Sequence, residues 1–171
     1  MSKKVLFFLD TIIIIVLIMI DQFTKYLAVQ NLKDQPAYIV LRDILEFDYL
    51  ENRGVAFGML QNKKILILLT GILLLAGVLM VMFKMPSGRK FTILHIIFSV
   101  IIAGGIGNMI DRIRFDFVVD FISFVLIDFP TFNVADCYIV CATIILFIMC
   151  VFVLKEEDLE FISFKKSKEN S

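Results

Sequence analysis

Histidine and cysteine are scarce in this sequence, and each shortage excludes some chemistry. The 171 residues include one histidine, His95, and three cysteines, Cys137, Cys141 and Cys150. All three cysteines fall in one apolar run. Cys137 and Cys141 are four residues apart and would share a helix face, but metal binding calls for further thiolate or imidazole ligands beside them. An odd count in such a run also argues against a disulfide framework. Small, polarisable packing residues are the simplest account of all three. The formal net charge is zero, so bulk charge points to neither nucleic acid nor a polyanionic partner. No charge block, low-complexity segment or internal repeat stands out.

What the chain has in excess is apolar surface. It is 60% hydrophobic with a mean hydropathy of +0.91. A water-soluble domain of this size could not hide that much, so the bilayer is the expected solvent. A spanning helix needs about 20 mostly apolar residues. Four segments qualify: Val5–Tyr26, Ile65–Phe83, Phe91–Ile110 and Val134–Leu154. The first has a basic start, like a cleaved signal peptide. However, Asp21 and Lys25 follow its apolar core and no small-x-small cleavage site is apparent, so a retained helix is expected.

Charge placement gives the orientation. Lys and Arg concentrate in short cytoplasmic segments near helix ends. Lys3 and Lys4 precede the first span, Lys84, Arg89 and Lys90 lie between the second and third, and Lys155, Lys165, Lys166 and Lys168 follow the fourth. Four spans put these three segments on one face, the expected cytoplasmic face. The loops 27–64 and 111–133 then lie outside; together they carry nine acidic and seven basic residues. Residues 1–154 are expected to form one membrane domain, and 155–171 a charged, solvated cytoplasmic tail.

The outer loops are more than connections. "LEFDY", Leu45 to Tyr49, alternates apolar and polar, the period of a half-buried strand. "ENRG" follows, with Asn52 and Gly54 suited to a turn, and "VAFGML" is a candidate partner strand. "VVDFISFVLIDF", Val118 to Phe129, is apolar and aromatic, and suits an interfacial helix or a flap. The expected fold class is therefore membrane all-α: four transmembrane helices, a small extracytoplasmic β element and an interfacial loop or helix.

Polar residues within the spans gather in the outer leaflet. Asp21 and Lys25 end the first span, Asn108, Asp111 and Arg112 end the third, and Asp136 begins the fourth. The inner half is nearly bare apart from Asp10, which is expected to reach the interface near Lys4. Each group has a structural account. Asp21 and Lys25 are spaced i, i+4 and can pair, or Lys25 can snorkel. Gly104, Gly105 and Gly107 suit close helix packing in lipid. Asn108, Asp111 and Arg112 suit either architecture or substrate contact. Asp136 can help cap its helix after Asn133, yet a charge at a span's centre costs about 2.5–3.5 kcal/mol. Asp136 lies near the edge, where the cost is lower. With Asp120 in the preceding loop it suggests a carboxylate pair at the membrane surface.

Four blocks in this order resemble one family: "DQFTK" (Asp21 to Lys25), "NRGVAFG" (Asn52 to Gly58), "GGIGNMIDR" with "VVDF" (Gly104 to Phe121), and "FNVAD" (Phe132 to Asp136). The chain resembles the lipoprotein signal peptidases, or type II signal peptidases, bacterial inner-membrane aspartic proteases. The resemblance covers about 150 residues of the chain. It implies that Asp120 and Asp136 are catalytic, that Asn52, Asn108, Arg112 and Asn133 support them, and that Asp21 and Lys25 support the site, with Gly54 inside its motif. It implies an outer β cradle and no metal or other cofactor. The implied substrates are diacylglyceryl-modified prolipoproteins, cut N-terminal to the lipidated cysteine; membrane lipids are further partners, nucleic acid is not, and the chain is a monomer. Inhibition by the cyclic peptide globomycin is also implied.

The residues fit such chemistry on their own terms. His95 lies on the wrong face for a Ser-His-Asp triad or a histidine-ligated zinc. A Ser-Lys pair would need Lys25 beside Ser123. Two aspartates sharing a proton can activate water without metal, because close like charges cannot both ionise easily. A proton-relay or transport subunit is the rival from another class, and a membrane scaffold a third. A relay would carry ionisable groups through both leaflets.

Overall fold

The computed structural model describes residues 2–54 and 63–162. Among them are four helices long and apolar enough to cross a membrane: α1 (Lys3–Leu32), α2 (Lys64–Lys84), α3 (Arg89–Phe115) and α4 (Val134–Phe152). Three strands, β1 (Tyr38–Leu41), β2 (Leu45–Asn52) and β3 (Val118–Ser123), form one antiparallel sheet in the order β1-β2-β3. The expected class, four spanning helices with a small β element, is the class observed.

The helices begin close to their apolar runs, but α1 and α3 continue well past them. α1 runs six residues beyond Tyr26 because nothing breaks it until Asp34, which is left-handed (φ 59), and Pro36. A proline disfavours helix in the residue before it. Its 30 residues rise about 45 Å, against an apolar layer of about 30 Å, so part of α1 stands clear of that layer. α3 ends where Asp116 turns left-handed (φ 68), its N–H donating to the Arg112 carbonyl. An Asp116–Lys64 ion pair ties that end to the start of α2.

α3 is the central helix and packs on the other three. Its glycines are where neighbours come close. Gly104 faces the Ala135 carbonyl and Ile139 on α4, Gly105 faces Leu75 on α2, and Gly107 faces Asp21 on α1. Away from the sheet, Met82, Met85, Leu94, Ile97, Ile102, Ala142 and Met149 form the main apolar cluster. Many side chains on α1, α2 and α4, such as Phe8, Leu73 and Phe147, stay exposed on the protein surface, as lipid-facing residues should.

"LEFDY" is indeed in a strand, β2, which pairs with β1 and β3 among the described residues. The candidate partner "VAFGML" lies outside the described residues. Val118–Ser123, allowed as an interfacial helix, is a strand; only Val125–Ile127 beyond it makes a short 3-10 turn. Alternation puts Val119 and Phe121 on one face of β3, where they join Ala28 of α1 in a second cluster. Asp120 therefore points the other way. Between the pairs Phe47–Ile122 and Leu50–Asp120, β2 has one residue more than β3. Such a bulge re-aims side chains locally. Of the tail, Glu156–Ile162 form a 3-10 helix whose Phe161 packs edge-on against Phe91.

Asp10 does not reach the interface. It is buried against α3, with Oδ2 2.8 Å from His95 Nδ1 and Oδ1 accepting from Ser99 Oγ at 3.1 Å. His95 and Ser99 are spaced i, i+4 and present one face to α1, a pairing that one-dimensional hydropathy did not reveal. Asp10→Ala strands two buried groups, each costing about 1–3 kcal/mol when unpaired. A lower thermal unfolding temperature in detergent is the expected result; an unchanged one would show that the cluster adds nothing to stability.

Candidate active site

At the sheet end of the bundle, α1 and α3 supply a buried polar layer. Lys25 Nζ lies 3.0 Å from Asp21 Oδ2, 3.0 Å from Asp111 Oδ2 and 2.8 Å from Asn108 Oδ1. An ammonium has three donors, and all three are used. Lys25 is thus neither a snorkelling side chain nor free to act as a base for Ser123. The two carboxylates reach outward in turn. Asp21 Oδ1 accepts from the Ala135 N–H at 3.0 Å, fixing the start of α4. Asp111 Oδ2 accepts from the Val119 N–H at 3.2 Å, fixing β3. One ion cluster therefore positions both elements that carry Asp136 and Asp120.

Asp136 sits on the first turn of α4 in a capping box. Its N–H donates to Asn133 Oδ1 at 3.0 Å, and its Oδ2 accepts from the Asn133 N–H at 3.1 Å. The capping expected of Asp136 is therefore real, and it does not exclude a further role. Asp136 Oδ1 accepts from Asn108 Nδ2 at 2.8 Å. Asp120 is 1% exposed. Its Oδ1 accepts from Asn133 Nδ2 at 2.6 Å and its Oδ2 from Asn52 Nδ2 at 2.8 Å. Asn133 thus bridges the two carboxylates.

The orientations of two of these amides follow from donor-only neighbours. Asn52 Oδ1 accepts from the Gly54 N–H at 2.9 Å, so its NH₂ must face Asp120. Asn133 Oδ1 is held by the helix cap, so its NH₂ must face Asp120 as well. Every carboxylate oxygen of the pair then meets an N–H donor, and among the described residues no acceptor side chain faces it. Burial pushes the Asp120 carboxyl up to about 7; the Asp136 charge adds to this, while the Asn52 and Asn133 donors and Lys25 oppose it.

The structure brings together all the residues singled out by the sequence, though some hold other partners than foreseen. Asn52 and Asn108, expected to support the aspartates, bond them directly, Asn52 to Asp120 and Asn108 to Asp136. Arg112 donates to the Gly54 carbonyl at 2.7 Å and the Asn108 carbonyl at 3.3 Å, pinning the "NRG" turn to α3. Asp111, expected to serve architecture or substrate contact, pairs with Lys25 and so serves architecture. Gln22 was overlooked: its Nε2 donates to Asp111 Oδ1 at 2.8 Å and Asp21 Oδ2 at 3.2 Å. Its place beside Asp21 in "DQFTK" was the available signal. Among the described residues, no cluster of three or more histidine, cysteine or carboxylate side chains is arranged to hold a metal.

Fold and site together define a multi-pass membrane protein with a carboxylate pair, Asp120 buried and Asp136 half-buried, where a three-stranded sheet meets four spans. The family model for signal peptidase (SPase) II matches residues 13–152. The chain is similar to the lipoprotein signal peptidase of Clostridium tetani, 39% identical over 155 residues, covering 89% of this chain and 96% of that protein. It is similar also to that of Caldanaerobacter subterraneus, 40% identical over 144 residues, covering 82% and 94%. A solved bacterial membrane enzyme shares its fold with a TM-score of 0.70 and 26% identity, over 85% of this chain and 94% of that one. The chain belongs to the signal peptidase II family and is a bacterial multi-pass membrane peptidase.

Proposed function

We propose that the chain is an aspartic endopeptidase that removes the signal peptide from diacylglyceryl-modified prolipoproteins, cutting N-terminal to the lipidated cysteine. The observation that carries this is the pair Asp120 and Asp136, bridged by Asn133 and ringed by donors. With no acceptor side chain among the described residues facing the pair, its proton is available to a bound water or a scissile carbonyl.

The two carboxylates differ in what surrounds them. Asp136 lies at a helix N-terminus, where the backbone dipole favours negative charge. Asp120 is the more deeply buried. Asp136 therefore acts as the base: it takes a proton from water, whose oxygen attacks the scissile carbonyl. Protonated Asp120 donates to the carbonyl oxygen as charge develops there. The proton held by Asp136 then passes to the leaving amine. The apolar signal helix and the diacylglyceryl chains enter laterally from lipid. Both termini lie in the cytoplasm, with the sheet and the aspartates on the other side.

A pH dependence follows. Asp120 titrates near 7 rather than 3.8, so its acid form dominates below about 7. As pH rises through that value, kcat/KM should fall, approaching tenfold per unit, as one essential proton is lost. A profile flat from pH 6 to pH 9 would contradict this. The same shift makes Asp120's contribution to stability complete below its unfolded value of 3.8, and lost as pH rises through about 7.

The direct test uses the purified protein and a diacylglyceryl prolipoprotein, with products read by mass spectrometry. A new N-terminus at the lipidated cysteine is expected, with little cleavage of the unlipidated precursor. Cleavage elsewhere, or equal cleavage of both, would sink the proposal. The proton-relay rival gains Asp10 and His95, but α1 offers no path between them and Asp21. Asp10 and Asp21 are eleven residues apart, about 16 Å of helix, and Ile12 to Ile20 between them are all apolar.

A further inference from the structure

We propose that Lys25 is a positioning residue that sets the direction of the Asn108 amide, and so decides that a donor rather than an acceptor faces Asp136. The inference rests on the catalytic role proposed for Asp136.

An asparagine amide is nearly symmetric in shape, so hydrogen bonding chooses which end points where. Asn108 Oδ1 takes the Lys25 ammonium at 2.8 Å and a second donor, Asn133 Nδ2, at 3.1 Å. Its Nδ2 is left to face Asp136 Oδ1. Asn133 exerts the weaker hold, because it is a neutral donor at a longer distance than the Lys25 ammonium. Lys25 is held in turn by Asp21 and Asp111, which cannot move without shifting α4 or β3.

The consequence concerns the two states of Asp136. An ionised Asp136 attracts the Asn108 NH₂ by itself. A protonated Asp136 does not, and could donate to Asn108 Oδ1 if the amide turned over. Lys25 forbids that turn, since it would set the NH₂ against an ammonium. The donor therefore stays aimed at Asp136 in both states, and the protonated state gains no alternative partner. Among the described residues, the other titratable groups that interact with Asp136 are Asp120 on β3, Arg112 on α3 and Cys137 beside it on α4, while Asp21 on α1 and Asp111 on α3 face Lys25. None of them touches Asn108 Oδ1.

The experiment measures kcat and KM against pH for the wild type, Lys25→Gln, Lys25→Arg and Asn108→Asp, on a diacylglyceryl prolipoprotein. Lys25→Gln should move the acid side of the kcat profile to higher pH by about one unit, the worth of a charge-assisted hydrogen bond, with KM unchanged. Lys25→Arg, which can only donate, should restore the wild-type profile. Loss of kcat by the same factor at every pH, with the acid side unmoved, would overturn the inference and leave Lys25 a purely structural cation. Should Lys25→Gln fail to fold, Asn108→Asp decides. It keeps the acceptor toward Lys25 but turns an acceptor toward Asp136, so the same displacement is expected, and an unmoved profile overturns the inference. Full activity of Asp136→Asn would instead remove the catalytic reading on which this one stands.

Discussion

Asp136→Asn and Asp120→Asn should each lower kcat by about 10³-fold or more, the upper range of what a positioned acid or base contributes. The reason is more specific than the loss of a proton carrier. At both positions each carboxylate oxygen meets an N–H donor: Asn108 Nδ2 and the Asn133 N–H at Asp136, Asn133 Nδ2 and Asn52 Nδ2 at Asp120. An asparagine must point its own NH₂ at one of these donors, whichever way it turns. The variants therefore lose the titrating group and also strain the local bonds. Thermal unfolding separates the two effects, since a folded variant without activity isolates the chemistry. The double variant should be scarcely slower than either single one, because residues acting as a unit are far from additive. Wild-type processing by either single variant would rule out the pair as the catalytic groups.

The sequence shows the spans clearly because lipid imposes a long, uniform apolar signal. The clustering of Asp21, Lys25, Asn108, Asp111, Arg112 and Asp136 at one end also follows from span position alone. Pairings are a different matter. β2 was visible from its alternation, but its partners β1 and β3 were not; β3 is buried along Val118–Phe121 and its apolar run has no clean period of two. Asp10 looked like a stray charge because its partners, His95 and Ser99, lie some 85 residues further along the chain. The amide directions at Asn52, Asn108 and Asn133 could not be read at all, since each depends on a donor brought near by folding. What could be read was composition by depth; what could not was who bonds whom across helices.

Gly104→Val should destabilise the protein and slow cleavage together. A Cβ at Gly104 would lie 2.6 Å from the Ala135 carbonyl oxygen and 2.8 Å from Ile139 Cγ1. The first contact is with backbone, so no rotamer change relieves it, and α3 and α4 must move apart. Ala135 immediately precedes Asp136, and its N–H is tied to Asp21, so the displacement falls on the turn that carries the carboxylate. Overpacking of this kind costs about 1–3 kcal/mol, and a shift of about 1 Å at a reacting group can cost about 10²-fold in rate. Gly77→Ala is the control: its added Cβ meets nothing within 4 Å, and removing a mid-helix glycine should stabilise α2 by up to about 1 kcal/mol. The glycine at 104 thus serves the chemistry by letting α3 and α4 approach until Asn108 and Asp136 bond. If Gly104→Val unfolds at the wild-type temperature and cleaves at the wild-type rate, the close approach of these helices does not set the geometry of the site.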